Sequence, residues 1–241
     1  MNKSRKLSKK IERTPGINPD DFDTSCEDLI RLCDALPNLK GRNHQLLKNF
    51  IKIRLISVVE FNLKGFVSGL IDDLNLEPKS VLEENEIIID LDVLQNLKNE
   101  EYTKGKIVVA HLDKMNPGIL YKIMSRINNL DFFKWIDNIM GQKSGDFYAF
   151  YKHLNMERND MTHNLTDTED SPKDIKRTII TMKNFIFTSY ICTNANIDIF
   201  QKNKPESFIE RQYSEQFKKL KINSDKFKSI TKKFREKYKP S

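Results

Sequence analysis

The sequence predicts an all-α protein, a helical bundle that carries a small β-hairpin as an insertion. Charged residues make up 31% of the 241 residues, whereas Gly and Pro number only eight each. This composition favours helices over a β-sandwich with many turns. Apolar residues recur at helical spacing in several long segments, and at 38% of the chain they are sufficient for a core at this length.

The N-terminal part of the sequence predicts an arm and then a short helix. Proline and glycine interrupt residues 1–24, which we expect to form a basic, flexible arm. The bundle is predicted over residues 25–200, and its first helix lies at about 25–36. Cys26 and Cys33 are seven residues apart and share a face of that helix, so we expect them to pack rather than to bind a ligand.

The clearest predicted element is a long helix at residues 43–74. A helix so long and so apolar is normally the central column of a bundle. Gly65 and Gly69 each cost about 1 kcal/mol relative to Ala, so we expect another helix to approach closely there. The apolar residues at helical spacing are Leu47, Ile51, Leu55, Val58, Val59, Phe66, Leu70 and Leu74.

Residues 78–117 are predicted to be the insertion. Two short β-branched runs, 87–89 and 106–112, are separated by a polar stretch. This pattern predicts the two strands of a small β-hairpin. A run of this length also fits a buried helical segment, which is the alternative.

Helical spacing resumes after Pro117-Gly118 and predicts the rest of the bundle. Gly141 is expected to end one of these helices, and Asp146 to cap the next. Residues 201–241 are predicted to be a basic, partly helical tail. The predicted helices lie at about 120–127, 132–139, 147–163 and 174–194.

The net charge of +7 is concentrated at the two ends of the chain. Residues 1–14 hold six basic residues and one acidic residue, and residues 211–241 hold eleven basic and three acidic residues. Basic segments of this kind often neutralise phosphate groups. A tail that only raises solubility is the alternative.

Cysteine usage and hydropathy indicate the compartment. Three cysteines without a CxxC pair argue against a disulfide framework and against a thiolate zinc site. No apolar stretch follows the basic N-terminus, and no segment approaches the length of a membrane span. We therefore expect a cytoplasmic protein with no membrane association.

Residues 157–164 are polar although they lie between strongly apolar helices. On a continuous helix, Arg158 falls on the apolar stripe, where an unpaired guanidinium is unfavourable. Asn155, Asn159 and His163 form the neighbouring row. A cation, an amide and an imidazole therefore line one edge of the helix.

These residues resemble the signature of the HEPN superfamily. Arg158 is followed directly by Asn159 and, after an Arg-x4-His spacing, by His163, on a late helix of a bundle. The segment from Val59 to Phe66, with Glu60 near its start and Gly65-Phe66 at its end, is similar to an earlier HEPN helix that carries an apolar residue, a glutamate and then Gly-Phe. The resemblance covers residues 43–74 and 118–195 and includes the order of the helices.

The resemblance implies a metal-independent endoribonuclease that needs no cofactor and acts as a toxin or antiviral effector. In this reading, His163 takes or returns a proton, Arg158 braces the phosphate, and Asn159 orients His163 or contacts a phosphate oxygen. Glu60 is expected either to pair with Arg158 or His163 in the site or to meet Lys64 one turn along its own helix.

The family further implies a homodimer in which two motifs face each other across a cleft, RNA as the substrate, and a neutralising or regulatory protein partner. Some HEPN nucleases carry Tyr two residues after the histidine, where this chain has Leu165. The alternative function is a non-catalytic HEPN module that binds nucleic acid or a partner protein.

Other residue patterns point to packing. His153 and Glu157 lie four residues apart, and without a third ligand they are expected to form a surface pair rather than a metal site. The aromatic residues at positions 147, 148, 150 and 151 could stack on bases, but their spacing favours the core. The sequence contains no P-loop, GxSxG or GxGxxG motif, which argues against an NTPase, a hydrolase of that type or a dinucleotide enzyme.

Overall fold

The computed structural model describes residues 19–82, 102–112 and 114–237, and the regular structure in these ranges is entirely helical. The prediction of an all-α protein is confirmed. None of the described helices combines the length and the apolar character that crossing a lipid bilayer requires. The helices are α1 (Pro19–Ala35), α2 (Gly41–Asp73), α3 (Pro78–Val81), α4 (Lys104–His111), α5 (Pro117–Asn128), α6 (Phe132–Met140), α7 (Asp146–His163), α8 (Pro172–Phe200), α9 (Glu206–Gln212), α10 (Ser214–Lys219) and α11 (Ser224–Lys237).

The described residues divide into two compact units. The 60–127 unit contains the second half of α2 together with α3, α4 and most of α5. The two-segment unit contains residues 19–59 and the chain from residue 128 onward. The two-segment unit therefore joins parts of the chain that lie on either side of the 60–127 unit in sequence.

Helix α1 packs against α8 in the two-segment unit. Its buried face includes Cys26 and Cys33, which confirms that the two cysteines share one face and pack. Burial raises the pKa of Cys26 to about 12 and that of Cys33 to about 11, so both thiols stay protonated at neutral pH. Ser171 caps α8, because its hydroxyl accepts a hydrogen bond from the backbone N–H of Asp174 (3.2 Å).

Helix α1 begins at Pro19, six residues before the predicted start of the bundle. A proline at the first position of a helix loses no hydrogen bond, and Asp20 and Asp21 interact favourably with the positive end of the helix dipole. The predicted arm is therefore too long at its C-terminal end, while residues 1–18 lie outside the described residues. Gly141 does end α6, with the left-handed conformation (φ 74°) expected of it.

Helices α9 to α11 correct the prediction of a separate tail. Phe217 and Phe227 are buried in the two-segment unit, with ring centroids 5.2 Å apart. The indole N–H of Trp135 on α6 donates a hydrogen bond to the hydroxyl of Thr231 on α11 (3.1 Å). The chain after residue 200 is helical, as predicted in part, and as far as residue 237 it helps to form the core.

The predicted β-hairpin is wrong at its second strand, because residues 104–111 form helix α4. Thr103 caps this helix by accepting a hydrogen bond from the backbone N–H of Lys106 (3.2 Å). Ile107, Val108 and Val109 are all buried, so the continuous β-branched run reflects burial on every side of a short helix. The first predicted strand, residues 87–89, lies outside the described residues.

Gly105 permits α4 to lie close to α2 in the 60–127 unit. A Cβ atom at this position would overlap the backbone carbonyl of Ser68, and the backbone N–H of Gly105 donates to Asp72 (2.7 Å). A close helix approach was predicted near Gly65 and Gly69. The approach occurs between them, and the glycine that permits it belongs to the other helix.

Candidate functional site

Helix α7, which carries the polar motif, is anchored at its N-terminus by Asp137. This carboxylate on α6 accepts hydrogen bonds from the backbone N–H groups of Gly145 (2.7 Å) and Phe147 (3.2 Å). Its burial raises the pKa of Asp137, although the two backbone donors favour the ionised form. The first turn of α7 is therefore fixed by a buried side chain from the preceding helix.

The core face of α7 is strongly apolar. Phe147, Tyr151, Leu154 and Met161 are buried, and the ring of Phe147 stacks on Phe185 of α8 with centroids 3.6 Å apart. Phe147 and Tyr151 thus belong to the core, as their spacing predicts. Tyr148 and Phe150 are half-buried, and each lies edge-on to a neighbouring aromatic ring.

The motif residues lie at the opposite end of this anchored helix. Arg158 is half-buried, whereas Asn159 and His163 are exposed. Within the described part of the chain, the side chains of Asn159 and His163 form no hydrogen bond or ion pair. Helix α7 ends at His163, so the imidazole lies in its last turn.

Two further features distinguish this end of α7. Asn155, predicted to share the row of Asn159 and His163, donates instead to the backbone oxygen of Tyr151 (2.9 Å) on its own helix. Met156 and Leu165 are 55% and 80% exposed. The exposed end of α7 therefore combines an amide and an imidazole with apolar side chains that are open to solvent.

Glu60 and the motif residues are assigned to different units of the chain. It is half-buried on α2 and belongs to the 60–127 unit, whereas Arg158, Asn159 and His163 belong to the two-segment unit. Its neighbour Lys64 donates to the backbone oxygen of Leu112 (2.8 Å). The three motif residues lie on one helix, and the role of Glu60 in the site stays a prediction.

Lys52 is a residue that the sequence reasoning did not identify. Its side chain is 2% exposed and forms ion pairs with Glu157 (2.7 Å) and Asp170 (2.7 Å). Its ammonium also donates to the hydroxyl of Thr168 (3.3 Å). This buried cation joins α2 to the residue directly before Arg158 and to the loop that follows the motif.

The loop after the motif is held to α2 by further hydrogen bonds. Asn49 donates to Asp167 (2.9 Å) and to the backbone oxygen of Thr166 (3.2 Å), and its own side-chain oxygen accepts from the backbone N–H of Thr168 (3.0 Å). Arg42 forms an ion pair with Asp167 (2.8 Å). The chain on both sides of His163 is therefore fixed, while the imidazole itself is open to solvent.

A groove of about 460 Å³ lies between α7 and α8, on another side of α7. His153 and Glu157 line it 3.8 Å apart, with His153 69% exposed, and this confirms the predicted surface pair. No set of three His, Cys, Asp or Glu side chains in the described ranges is arranged to hold a metal ion. The groove is acidic, and its negative charge disfavours a phosphate ligand. Its charged residues are Asp146, Glu157, Asp170, Asp174 and Arg177.

Comparisons with known proteins found one distant similarity. No family model matches the chain, and no solved structure matches it. The chain is 25% identical, over 212 residues, to the capsid vertex component 2 of human herpesvirus 7. This alignment covers 79% of the chain and 34% of the viral protein, so it spans about a third of that protein's length.

Proposed function

We propose that this protein is a metal-independent endoribonuclease of the HEPN type, a cytoplasmic toxin or antiviral effector. The observation that supports this most is the state of the motif residues. Asn159 and His163 are exposed and unpaired among the described residues, on a helix whose two ends are fixed by Asp137 and Lys52. A rigid element that leaves an imidazole accessible is suited to proton transfer.

The proposed reaction uses the 2′-hydroxyl of RNA as the nucleophile. His163 takes the proton of this hydroxyl, and the 2′-oxygen then forms a bond to the neighbouring phosphorus. The bond from phosphorus to the 5′-oxygen breaks, and that oxygen receives a proton from a second histidine. The products are a 2′,3′-cyclic phosphate and a free 5′-hydroxyl. Arg158 stabilises the charge of the phosphorane with its planar guanidinium.

A homodimer supplies the second histidine in this proposal. One motif provides a single imidazole, whereas the reaction needs a base and an acid. The exposed apolar side chains of Met156 and Leu165 support a protein contact at this end of α7, because a second copy would cover them. A neutralising partner protein could bind the same surface.

The test is cleavage of total RNA by the purified protein in excess EDTA. We expect fragments that end in 2′,3′-cyclic phosphate, and a loss of about 10²-fold or more in rate for His163→Ala and for Arg158→Ala. His153→Ala is the matched control, because His153 is an exposed histidine on the same helix but on another face. Equal cleavage by wild type and His163→Ala, or no cleavage of varied RNAs by wild type, would contradict the proposal.

The second candidate is a non-catalytic HEPN module that binds a partner protein or nucleic acid. The similarity to a herpesvirus protein named as a capsid component favours protein assembly, as do the exposed side chains of Phe50, Met156 and Leu165. This function predicts that Met156→Glu with Leu165→Glu disrupts a stoichiometric complex in size-exclusion chromatography, while wild type cleaves no RNA. RNA cleavage that depends on His163 would exclude it.

A further inference from the structure

A second groove, of about 560 Å³, lies in the two-segment unit beside α8 and the helices that follow it. Its volume falls within the range of about 300–1,000 Å³ found for small-ligand sites. We call it the amide groove, because amide side chains are prominent in its lining. These amides are Asn184, Asn194, Gln212 and Gln216.

Aromatic residues form another part of the amide groove. Phe187, Tyr190 and Tyr213 line it, and all three are half-buried. The hydroxyl of Tyr213 donates to Asp198 (2.5 Å), which holds its ring in place. Burial and this hydrogen bond raise the pKa of Tyr213, so its hydroxyl stays protonated. Ordered aromatic rings are the surfaces on which bases stack, with little preference among the four bases.

The amides of the groove keep free hydrogen-bonding groups. Among the described residues, the side chains of Asn184, Asn194 and Gln212 form no hydrogen bond. Each amide presents a donor and an acceptor, which is the pair of functions that the edges of nucleobases require. The groove therefore offers stacking surfaces and base-edge contacts together.

Exposed basic side chains lie on or beside the part of the amide groove that α9 and α10 form, while Asp20 lines it elsewhere. Lys219 lines it, and Arg211 and Lys218 are close to it in sequence. These three side chains are exposed and take part in no ion pair within the described ranges. Lys228, in contrast, lies 3.5 Å from both Glu206 and Glu210. The cations on α9 and α10 thus keep their charge available for phosphates.

We infer that the amide groove and its basic rim bind single-stranded RNA, with bases in the groove and phosphates on Arg211, Lys218 and Lys219. An anionic membrane fits less well, because Ile209 of α9 and Phe217 of α10 are buried in the core and are not free to enter a lipid surface. The inference names a substrate-binding surface for the proposed nuclease and so rests on the same substrate class. Its test measures binding and is independent of cleavage.

Point substitutions are needed to test this surface. A deletion of residues 211–241 would remove Phe217 and Phe227 from the core, so lost binding could reflect unfolding. We therefore choose the triple variant Arg211→Gln, Lys218→Gln and Lys219→Gln, which changes exposed side chains only. The matched control changes Lys40, Lys143 and Lys173 to Gln, three exposed lysines elsewhere in the same unit.

The measurement is fluorescence anisotropy of a labelled 20-nucleotide single-stranded RNA, in a His163→Ala background that prevents cleavage. The basic-rim variant is expected to bind about tenfold more weakly or worse, and its salt slope should fall by about 2. The control variant should bind like the parent. Asn184→Ala should weaken binding of normal RNA but not of an abasic strand of the same length.

Several outcomes would overturn the inference: no RNA binding by the parent, unchanged affinity of the basic-rim variant, or equal affinity for normal and abasic strands. Sedimentation with phosphatidylcholine–phosphatidylserine vesicles but no affinity for RNA would assign the surface to a membrane instead. Binding without cleavage by wild type would refute the proposed nuclease and leave this inference intact. RNA cleavage by wild type together with unchanged RNA binding by the basic-rim variant would support the proposed nuclease and refute this inference.

Discussion

Two neighbouring groups of polar residues on helix α7 differ in whether their side chains have partners. At Glu157 the polar groups are fully engaged, since Lys52 is buried between Glu157 and Asp170. Two residues later, Asn159 begins an exposed row that ends at His163, and neither side chain is paired within the described residues. The difference shows that polarity in the sequence alone does not distinguish a paired side chain from an unpaired one. Glu157 contributes to stability, whereas the unpaired row contributes little to it and stays available for chemistry.

The largest effect on stability is expected from Lys52→Ala. It removes both ion pairs and leaves two carboxylates close together, and breaking a buried pair in this way costs about 3–5 kcal/mol. We expect about 3 kcal/mol, because Glu157 and Asp170 keep contact with solvent. Urea unfolding followed by circular dichroism measures the loss.

A double-mutant cycle separates the charge interaction from the packing of the lysine stem. Glu157→Gln should reduce the cost of Lys52→Ala, because the amide no longer depends on the cation. If the two changes in the free energy of unfolding are additive, the ion pair does not stabilise the unit. Glu157 would then contribute no more to stability than the exposed row does.

A smaller effect is expected at Asp137, the anchor of the other end of α7. Asp137→Ala leaves the backbone N–H groups of Gly145 and Phe147 without an acceptor, at a cost of about 2 kcal/mol. Asp137→Asn keeps one acceptor and should lose less. Thermal unfolding of the two variants and wild type gives the order, and equal midpoints would show that α7 does not need this anchor.

Asp137 also gives stability a pH dependence. Because burial raises its pKa, the folded state binds this proton more tightly than the unfolded state does. The free energy of unfolding of wild type therefore increases as the pH falls from the raised pKa of the folded state to the ordinary pKa of an aspartate in the unfolded state. Both Asp137 variants should lack this gain in urea unfolding at a series of pH values.

The smallest effects on stability are expected from Asn159→Ala and His163→Ala. Both side chains are exposed and unpaired in the described part of the chain, so the free energy of unfolding should change by no more than about 0.5 kcal/mol. The same preparations would serve in the RNA cleavage assay. A destabilisation of 2 kcal/mol or more in urea would give these residues a structural role and remove the contrast with Lys52.

Helical periodicity in the sequence was sufficient to locate the long helices. The predicted helix at 43–74 is observed as Gly41–Asp73, and Gly141 ends its helix as expected. The run of β-branched residues at 106–112 led to the wrong prediction of a strand where α4 forms. A segment that is buried on every side contains such a run whether it is a helix or a strand. Thr103 was the local sign of a helix start, since its hydroxyl caps α4.

The polar contacts around the motif could not be predicted from local sequence. Lys52 looks like an ordinary solvated lysine on a long helix, and its partners Glu157 and Asp170 are 105 and 118 residues away. Tertiary packing alone brings them together. The position of His163 on a helix could be predicted from spacing, but its exposure and the fixed loop beside it depend on these distant contacts.

The hydrogen bond between Trp135 and Thr231 has a consequence for biosynthesis. These residues are 96 positions apart, so the core of the two-segment unit closes only after Thr231 has been translated. The ribosome makes the motif at residues 158–163 well before it adds Phe217 and Phe227, which fill that core. During synthesis the motif is therefore present before its unit can fold, and it stays so until residues 217–231 have been added.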